Sequence, residues 1–254
     1  MFPVFLNGST KSKLRSHLTI QQLTATPLVG SHATRGPNTT ARMTTTKQYD
    51  YLSRLQSISS TPSASGQLPI AYGYQYNDAN QRRRVTLNDG SFWVYQYDAL
   101  GQVTCGKKYF VDGTPVPGQQ FEYGFDDIGN RSSTKAGGDA NGMNLRSATY
   151  TANNLNQYSS RTVPGAFDVV GIANVSSSVT VNSSAADYRR SEYFEELISV
   201  SNGSVPVWQS VSVTTSGGGS ASGNAWTPKT PENYGYDLER VSPRSMTVCE
   251  GVTH

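Results

Sequence analysis

One phrase, written several times along the chain, constrains the fold more than any other feature. The stretches AYGYQYNDANQR (71–82), SFWVYQYDALGQV (91–103) and QFEYGFDDIGNR (120–131) place aromatic or β-branched residues at every second position. Each then reaches an Asp or Asn directly after an aromatic, and a Gly or Asn three residues later. Aligned on that aromatic, the copies are Tyr49-Asp50, Tyr76-Asn77, Tyr97-Asp98 and Phe125-Asp126, with Tyr150-Thr151 as a weaker match. Steps of 27, 21, 28 and 25 residues fall in the range of a repeat array.

Two kinds of turn punctuate each repeat. In the first, Asp50, Asn77, Asp98 or Asp126 can hydrogen-bond its own backbone two residues on. The residue three later must tolerate positive φ, and it is Gly101 and Gly129 in two copies, Asn80 and Asn154 in two others. Ser53 departs from that rule in the first copy. The second kind lies between repeats, where Asp89-Gly90 follows RVTLN and Asp112-Gly113 follows KKYFV. Asp-Gly between strand-like runs signals a hairpin. Strands and turns therefore alternate, and the expectation is an all-β antiparallel meander.

The incoming strands carry aromatics at alternate positions: Tyr72, Tyr74, Tyr76; Trp93, Tyr95, Tyr97; and Phe121, Tyr123, Phe125. Period two puts each triplet on one face. Set side by side they would form an aromatic ladder, serving as the buried face of the sheet or as a sugar-stacking surface.

Composition narrows the function. Charged residues are only 15% of the chain and the formal net charge is +3. The basic run Arg82-Arg83-Arg84 lies in a strand whose neighbours face opposite ways, so nucleic acid is not an expected partner. No run approaches the length of a membrane helix, and the opening MFPVFL is too short an apolar stretch for a signal peptide. Cys105 and Cys249 are lone cysteines without metal-ligand spacing.

Catalytic sets are equally thin. Gly101 to Lys107 matches the spacing of a phosphate-binding loop, but Lys108 stands where Ser or Thr would hold magnesium, and a strand continues where a helix should start. His17, His32 and His254 lie outside the repeats, which leaves no Ser-His-Asp or Cys-His arrangement there. The carboxylate pairs Asp126-Asp127 and Glu195-Glu196 are adjacent in strand-like text and point apart. The expectation is no enzyme, no catalytic residue, no cofactor and no metal.

The pattern Y-D-x-x-G-[NQ]-[RV] after aromatic strands resembles the YD repeats of Rhs proteins, over Lys47 to Arg161 and again at Tyr234 to Asp237. That family includes bacterial polymorphic toxins, the shell-forming components of Tc insecticidal toxins, and animal teneurins. The resemblance implies a partial β-shell of bacterial source whose work is mechanical. Its partners would be further YD repeats and an enclosed or presented toxin or other cargo polypeptide. It also implies a place in a larger secreted or cell-surface protein. The alternative is a cell-surface carbohydrate- or cell-binding module using the ladder.

Outside the array, residues 1–42 read as a poorly ordered Ser/Thr/Gly/Asn-rich tail or an upstream repeat remnant, and 43–162 as the array itself. Residues 163–231 read as a β-rich insertion with SGGGSASGN as linker, with a helix over 185–197 as one alternative. Residues 232–254 read as a degenerate last repeat. The resemblance implies a Gly near position 240 and a further aromatic strand, and neither follows Asp237. A frame shift or truncation near Leu238 is the expectation there.

Overall fold

The computed structural model describes residues 30–35, 41–237 and 240–245. Every regular element among them is a β-strand, and every recorded strand pairing is antiparallel. The chain divides between Thr114 and Pro115 into two units.

The first unit holds β1 (Gly30–Arg35), β2 (Ala41–Tyr49), β3 (Leu55–Pro62), β4 (Ile70–Tyr76), β5 (Arg82–Thr86), β6 (Phe92–Tyr97) and β7 (Val103–Tyr109). Each strand pairs with the next in sequence, which is the meander that alternating strand and turn text dictates. β1 falls inside the segment expected as a tail and pairs with β2 from Gly30↔Lys47; residues 1–29 lie outside the described residues. Burial in this unit is shallow: of its described residues, Val85, Ser91, Cys105 and Gly106 are buried, and most strand residues are half-exposed.

The second unit holds β8 (Pro115–Phe125), β9 (Arg131–Gly137), β10 (Leu145–Ala152) and β11 (Tyr158–Arg161) in the same sequential order. The chain then leaves the sheet. It builds β12 (Ala166–Ile172), β13 (Val179–Val181), β14 (Ser184–Ala185), β15 (Tyr188–Arg190), β16 (Tyr193–Ser199), β17 (Val207–Thr215) and β18 (Ser220–Thr227). It returns with β19 (Glu232–Asp237) beside β11, and β20 (Arg240–Ser245) pairs outside β19.

The excursion forms two small sheets, ordered β12-β16-β15 and β14-β13-β17-β18. Between them Val179, Val181, Phe194 and Val213 make a core, joined by Val169, Ile198 and Val211. Alternation in SVSV and VVG supplies the inward apolar residues from strands that are polar outside. The helical spacing of 185–197 gives way because Phe194 and its neighbours fill this core from β16.

Two further readings change. The Gly/Ser run is a hairpin: Thr215 and Gly219 close the turn, Gly218 takes φ +80°, and Ser220–Thr227 pairs with β17 without a bulge. Small residues suit that outermost strand because nothing packs a second ladder against it. A strand also follows Asp237 where none was expected. Among the described residues β20 ends the sheet order, with Pro243 opposite Tyr236.

Candidate functional site: the braced repeat turn

Five turns share one construction. They open at Asp50, Asn77, Asp98, Asp126 and Asn153, and in each the opening amide donates to the carbonyl of the residue four later, at 2.8–3.0 Å. The residue three later donates back to the opening carbonyl, at 2.9–3.1 Å. The opening side-chain oxygen then accepts from the backbone: Asp98 Oδ1 takes the amides of Leu100 at 3.0 Å and Gln102 at 2.8 Å. Asp126 does the same with Ile128 at 3.1 Å and Asn130 at 2.7 Å.

The fourth residue after the acid completes the loop. Arg54 Nε, Gln102 Nε2 and Asn130 Nδ2 donate to the second carboxylate oxygen at 2.6, 3.1 and 2.9 Å. Where Asn opens the turn, the amide instead donates to Gln81 or Gln157. Asn130 and three backbone amides together hold the Asp126 carboxyl below its ordinary range. These carboxylates are therefore spent on shape.

Positive φ falls where the pattern demands it, at Asn80 (+61°), Gly101 (+82°) and Gly129 (+88°). Ser53, which departs from the pattern, takes +59° as well. The fifth turn lies two residues beyond the expected position: Asn156, not Asn154, sits at +60°. β10 runs past Tyr150 to Ala152, so the small Ala152 occupies the aromatic's slot and hides the register from the text. A sixth turn of this kind, at Asp139 with Gly142, lacks any preceding aromatic.

A bulge precedes all five turns in one register. The residue before the acid pairs with the residue five after the acid, as in Tyr97↔Val103, and the next pair skips one residue, as in Gln96↔Cys105. The same step occurs at Tyr49, Tyr76, Phe125 and Ala152. At β5 the skipped residue is Arg83, which sends Arg82 over the Tyr74 ring at 4.4 Å and Arg84 over Phe92 at 3.5 Å.

The inter-repeat turns differ from a two-residue hairpin. Leu87 donates to Ser91 and Phe110 to Thr114, so three residues make each loop, with Gly90 (+81°) and Gly113 (+87°) last. Asp89 and Asp112 cap these loops, each taking the amide and hydroxyl of the residue two later.

Within the first unit the triplets of β4 and β6 are not neighbours in the ladder. Each repeat contributes two strands and only one bears the triplet, so Val85 lies between Tyr74 and Trp93 in the ladder. Tyr95 faces Gly106, Phe121 faces Ala136, Tyr123 faces Thr134 and Phe125 faces Arg131. Guanidinium groups cover several of these rings: Arg54 lies 4.8 Å from Tyr76, Arg82 over Tyr74, and Arg131 4.9 Å from Tyr123. Within β6, Trp93 and Tyr95 lie nearly parallel with centroids 6.4 Å apart. Tyr72 is the triplet member left more open, at 38% exposure.

The hydroxyls of the pre-turn tyrosines do something the alternating pattern alone does not reveal. Tyr76 donates to the Leu55 carbonyl at 2.8 Å, Tyr97 to Arg82 at 2.7 Å and Tyr236 to Tyr158 at 2.9 Å. Each acceptor is the residue just past the previous turn. Phe125 and Ala152 have no hydroxyl, and beside Arg131 it is Tyr158 that accepts the backbone amide, at 2.8 Å. The choice of Tyr over Phe at this position was the available signal.

Gly101→Val is expected to cost about 1–3 kcal/mol in thermal or urea unfolding, because a β-branched residue resists this φ. A Cβ there would also approach Gln81 Nε2 at 3.0 Å. An unchanged melting temperature would remove the turn assignment.

A second cluster joins the excursion to the repeat sheet within the second unit. Arg146 on β10 forms a two-pronged ion pair with Asp168 on β12, the Nη1 contact being 2.9 Å. Their side chains are only 15% and 4% exposed. Tyr193 donates to the Pro117 carbonyl at 2.5 Å. Glu195 is buried beside them, and Glu196, its neighbour, points away and accepts the Asp187 amide. Burial first, and then the Asp168 and Asp187 carboxylates, push Glu195 up to about 7.

That shift has a signed consequence. The folded state keeps a proton on Glu195 that the unfolded chain releases near 4.5, so stability falls as pH rises from about 4.5 to 7 and stays lower above. Glu195→Gln should flatten this slope. At pH 8 it should gain about 1–3 kcal/mol after allowance for solvent screening. Parallel pH–stability curves for the two proteins would refute it.

The phosphate-loop spacing is not realised, since Val103–Tyr109 is a strand with Gly106 against the Tyr95 ring. Among the described residues no group of three or more His, Cys, Asp or Glu gathers in reach of one metal ion. His17, His254 and Cys249 lie outside them.

Comparison with known proteins follows the same repeat. Residues 76–104 match the RHS Repeat family model. No curated protein matches the chain significantly. Solved structures that resemble it include the TcdB2-TccC3-Cdc42 complex, at 14% identity over 80% of this chain with a TM-score of 0.42. TcdB2-TccC3 without its hypervariable C-terminal region gives 14% identity, 87% coverage and 0.42. The Photorhabdus luminescens Tc holotoxin pore, carrying a TccC3 mutation, gives 14%, 76% and 0.39. The chain spans about a tenth of each of those chains (10%, 10% and 9%). The matched segment opens at Tyr76-Asn77, passes through Tyr97-Asp98 and Gly101, and so spans two braced turns: this stretch of the chain is similar to an RHS repeat.

Proposed function

We propose that this chain is a non-catalytic segment of an RHS-repeat wall that encloses or presents another polypeptide, within a larger secreted or cell-surface protein of bacterial origin. The observation that carries the reading is the shared construction of the five turns, with Tyr76, Tyr97 and Tyr236 each tied to the residue just past an earlier turn. Such turns fix strand spacing and direction, and they engage the opening carboxylates of Asp50, Asp98 and Asp126 in holding the loop. Further repeats are the natural neighbours of an open array, because each unit buries its edges against the next. The sugar-stacking alternative is weakened by the guanidinium groups on Tyr74, Tyr76 and Tyr123.

The test is to fuse an unfolded reporter polypeptide after His254 and digest it with proteinase K. Cleavage at least about tenfold slower than for the same reporter alone supports a sheltering wall. Equal rates would overturn it.

A further inference from the structure

The second unit contains a groove of about 750 Å³ between the repeat sheet and the excursion. Its floor carries Phe121, Tyr123 and Tyr150, and β12 forms one wall. The other wall is β18, of which all residues from Ala221 to Thr227 border the space. Residues from both faces of a strand border one groove only when the strand's edge looks into it.

The hydrogen-bond phase of that edge follows from β17. The Ser212 amide donates to Asn182 Oδ1 at 2.8 Å and its carbonyl accepts the Asn182 amide at 2.7 Å, both on the side away from β18. Ser212 pairs with Ser222, so that pair exchanges no ladder bonds. By alternation Ser222, Asn224 and Trp226 turn their backbone N–H and C=O groups outward, and β18 ends its sheet. Strands left in this position are ordinarily blunted by charge, proline or a bulge. β18 reads SASGNAWT and pairs through eight residues with no register shift.

We propose that this groove accepts an extended polypeptide segment as an added strand on β18, paired through the outward backbone groups of Ser222, Asn224 and Trp226. The segment lays apolar side chains on the aromatic floor. Ala221–Thr227 spans about 23 Å, room for a strand of about seven residues. Four cations, Arg131, Lys135, Arg146 and Arg161, border the groove against one carboxylate, Asp168. Arg146 is taken by Asp168, Arg161 by Glu232 and Lys135 by Glu122, which leaves the Arg131 charge to favour an acidic residue in the guest. The proposal rests on the polypeptide-holding role above and names where such a polypeptide would be gripped.

The probe is a capped peptide of about seven residues, alternating valine and threonine with one central glutamate. Amide hydrogen exchange of β18 is followed with and without it. The expected result is that exchange at Ser222, Asn224 and Trp226 slows about tenfold or more, and that the peptide methylated on alternate backbone nitrogens has no effect. Ser222→Pro removes one outward donor while sparing the β17 ladder, so it should melt like the parent and bind about tenfold more weakly. Equal binding of the methylated peptide, or no protection at millimolar peptide, overturns the assignment. A sheltered reporter with an unprotected β18 would sink this groove alone and leave the wall standing.

Discussion

Arg146→Met is expected to lower the stability of the second unit by about 3–5 kcal/mol, read from urea or thermal unfolding. The substitution keeps most of the side chain's volume and removes its charge. Asp168, with its side chain only 4% exposed, is then left as a buried carboxylate facing Glu195. The cost is that of an uncompensated charge and exceeds what the pair contributes over an apolar replacement. The double variant Arg146→Met/Asp168→Leu should therefore recover most of the loss. A single variant losing under about 1 kcal/mol would mean that water screens the pair, as at an exposed ion pair.

Phe194→Ala should cost a similar about 3–5 kcal/mol, for a different reason. The ring is 2% exposed and meets Val179, Val181 and Val213 between the two small sheets. It also fills the space over Gly171, where a Cβ would stand 2.6 Å from two ring carbons. Alanine leaves a cavity that strands locked by their ladders cannot close. Phe194→Leu should lose markedly less. A loss for alanine no larger than for leucine would show that the sheets collapse onto the gap. Both variants should leave amide exchange in β4 to β6 unchanged.

What the text made legible was local chemistry. Asp98 and Gly101 announce a turn because the carboxylate and the freedom at positive φ are properties of those residues alone. The fifth turn is hidden in the text because Ala152 carries no side chain that marks the slot, and Tyr150 is the nearest aromatic to it. The side-by-side ladder failed for a related reason. Alternation says which face Tyr74 and Trp93 share, but it does not say that Val85 comes between them. Arg146, Asp168, Tyr193 and Phe194 carried no signal, since their meaning depends on partners in other strands, 22 residues away for Arg146 and Asp168 and 76 for Tyr193 and Pro117. The Gly/Ser run looked like linker because a strand at the end of a sheet needs little side-chain packing to persist.

The return of the chain at β19 bears on how such an array can grow. Arg161 pairs with Glu232 and Tyr236 still reaches Tyr158, at sequence separations of 71 and 78. The sheet thus closes over the excursion as if it were absent. The junction asks of the inserted piece only that its two ends emerge about 5 Å apart, one strand spacing. It is an acceptor site for splicing: a foreign domain with neighbouring termini could replace residues 163–230 while the flanking strands keep their register.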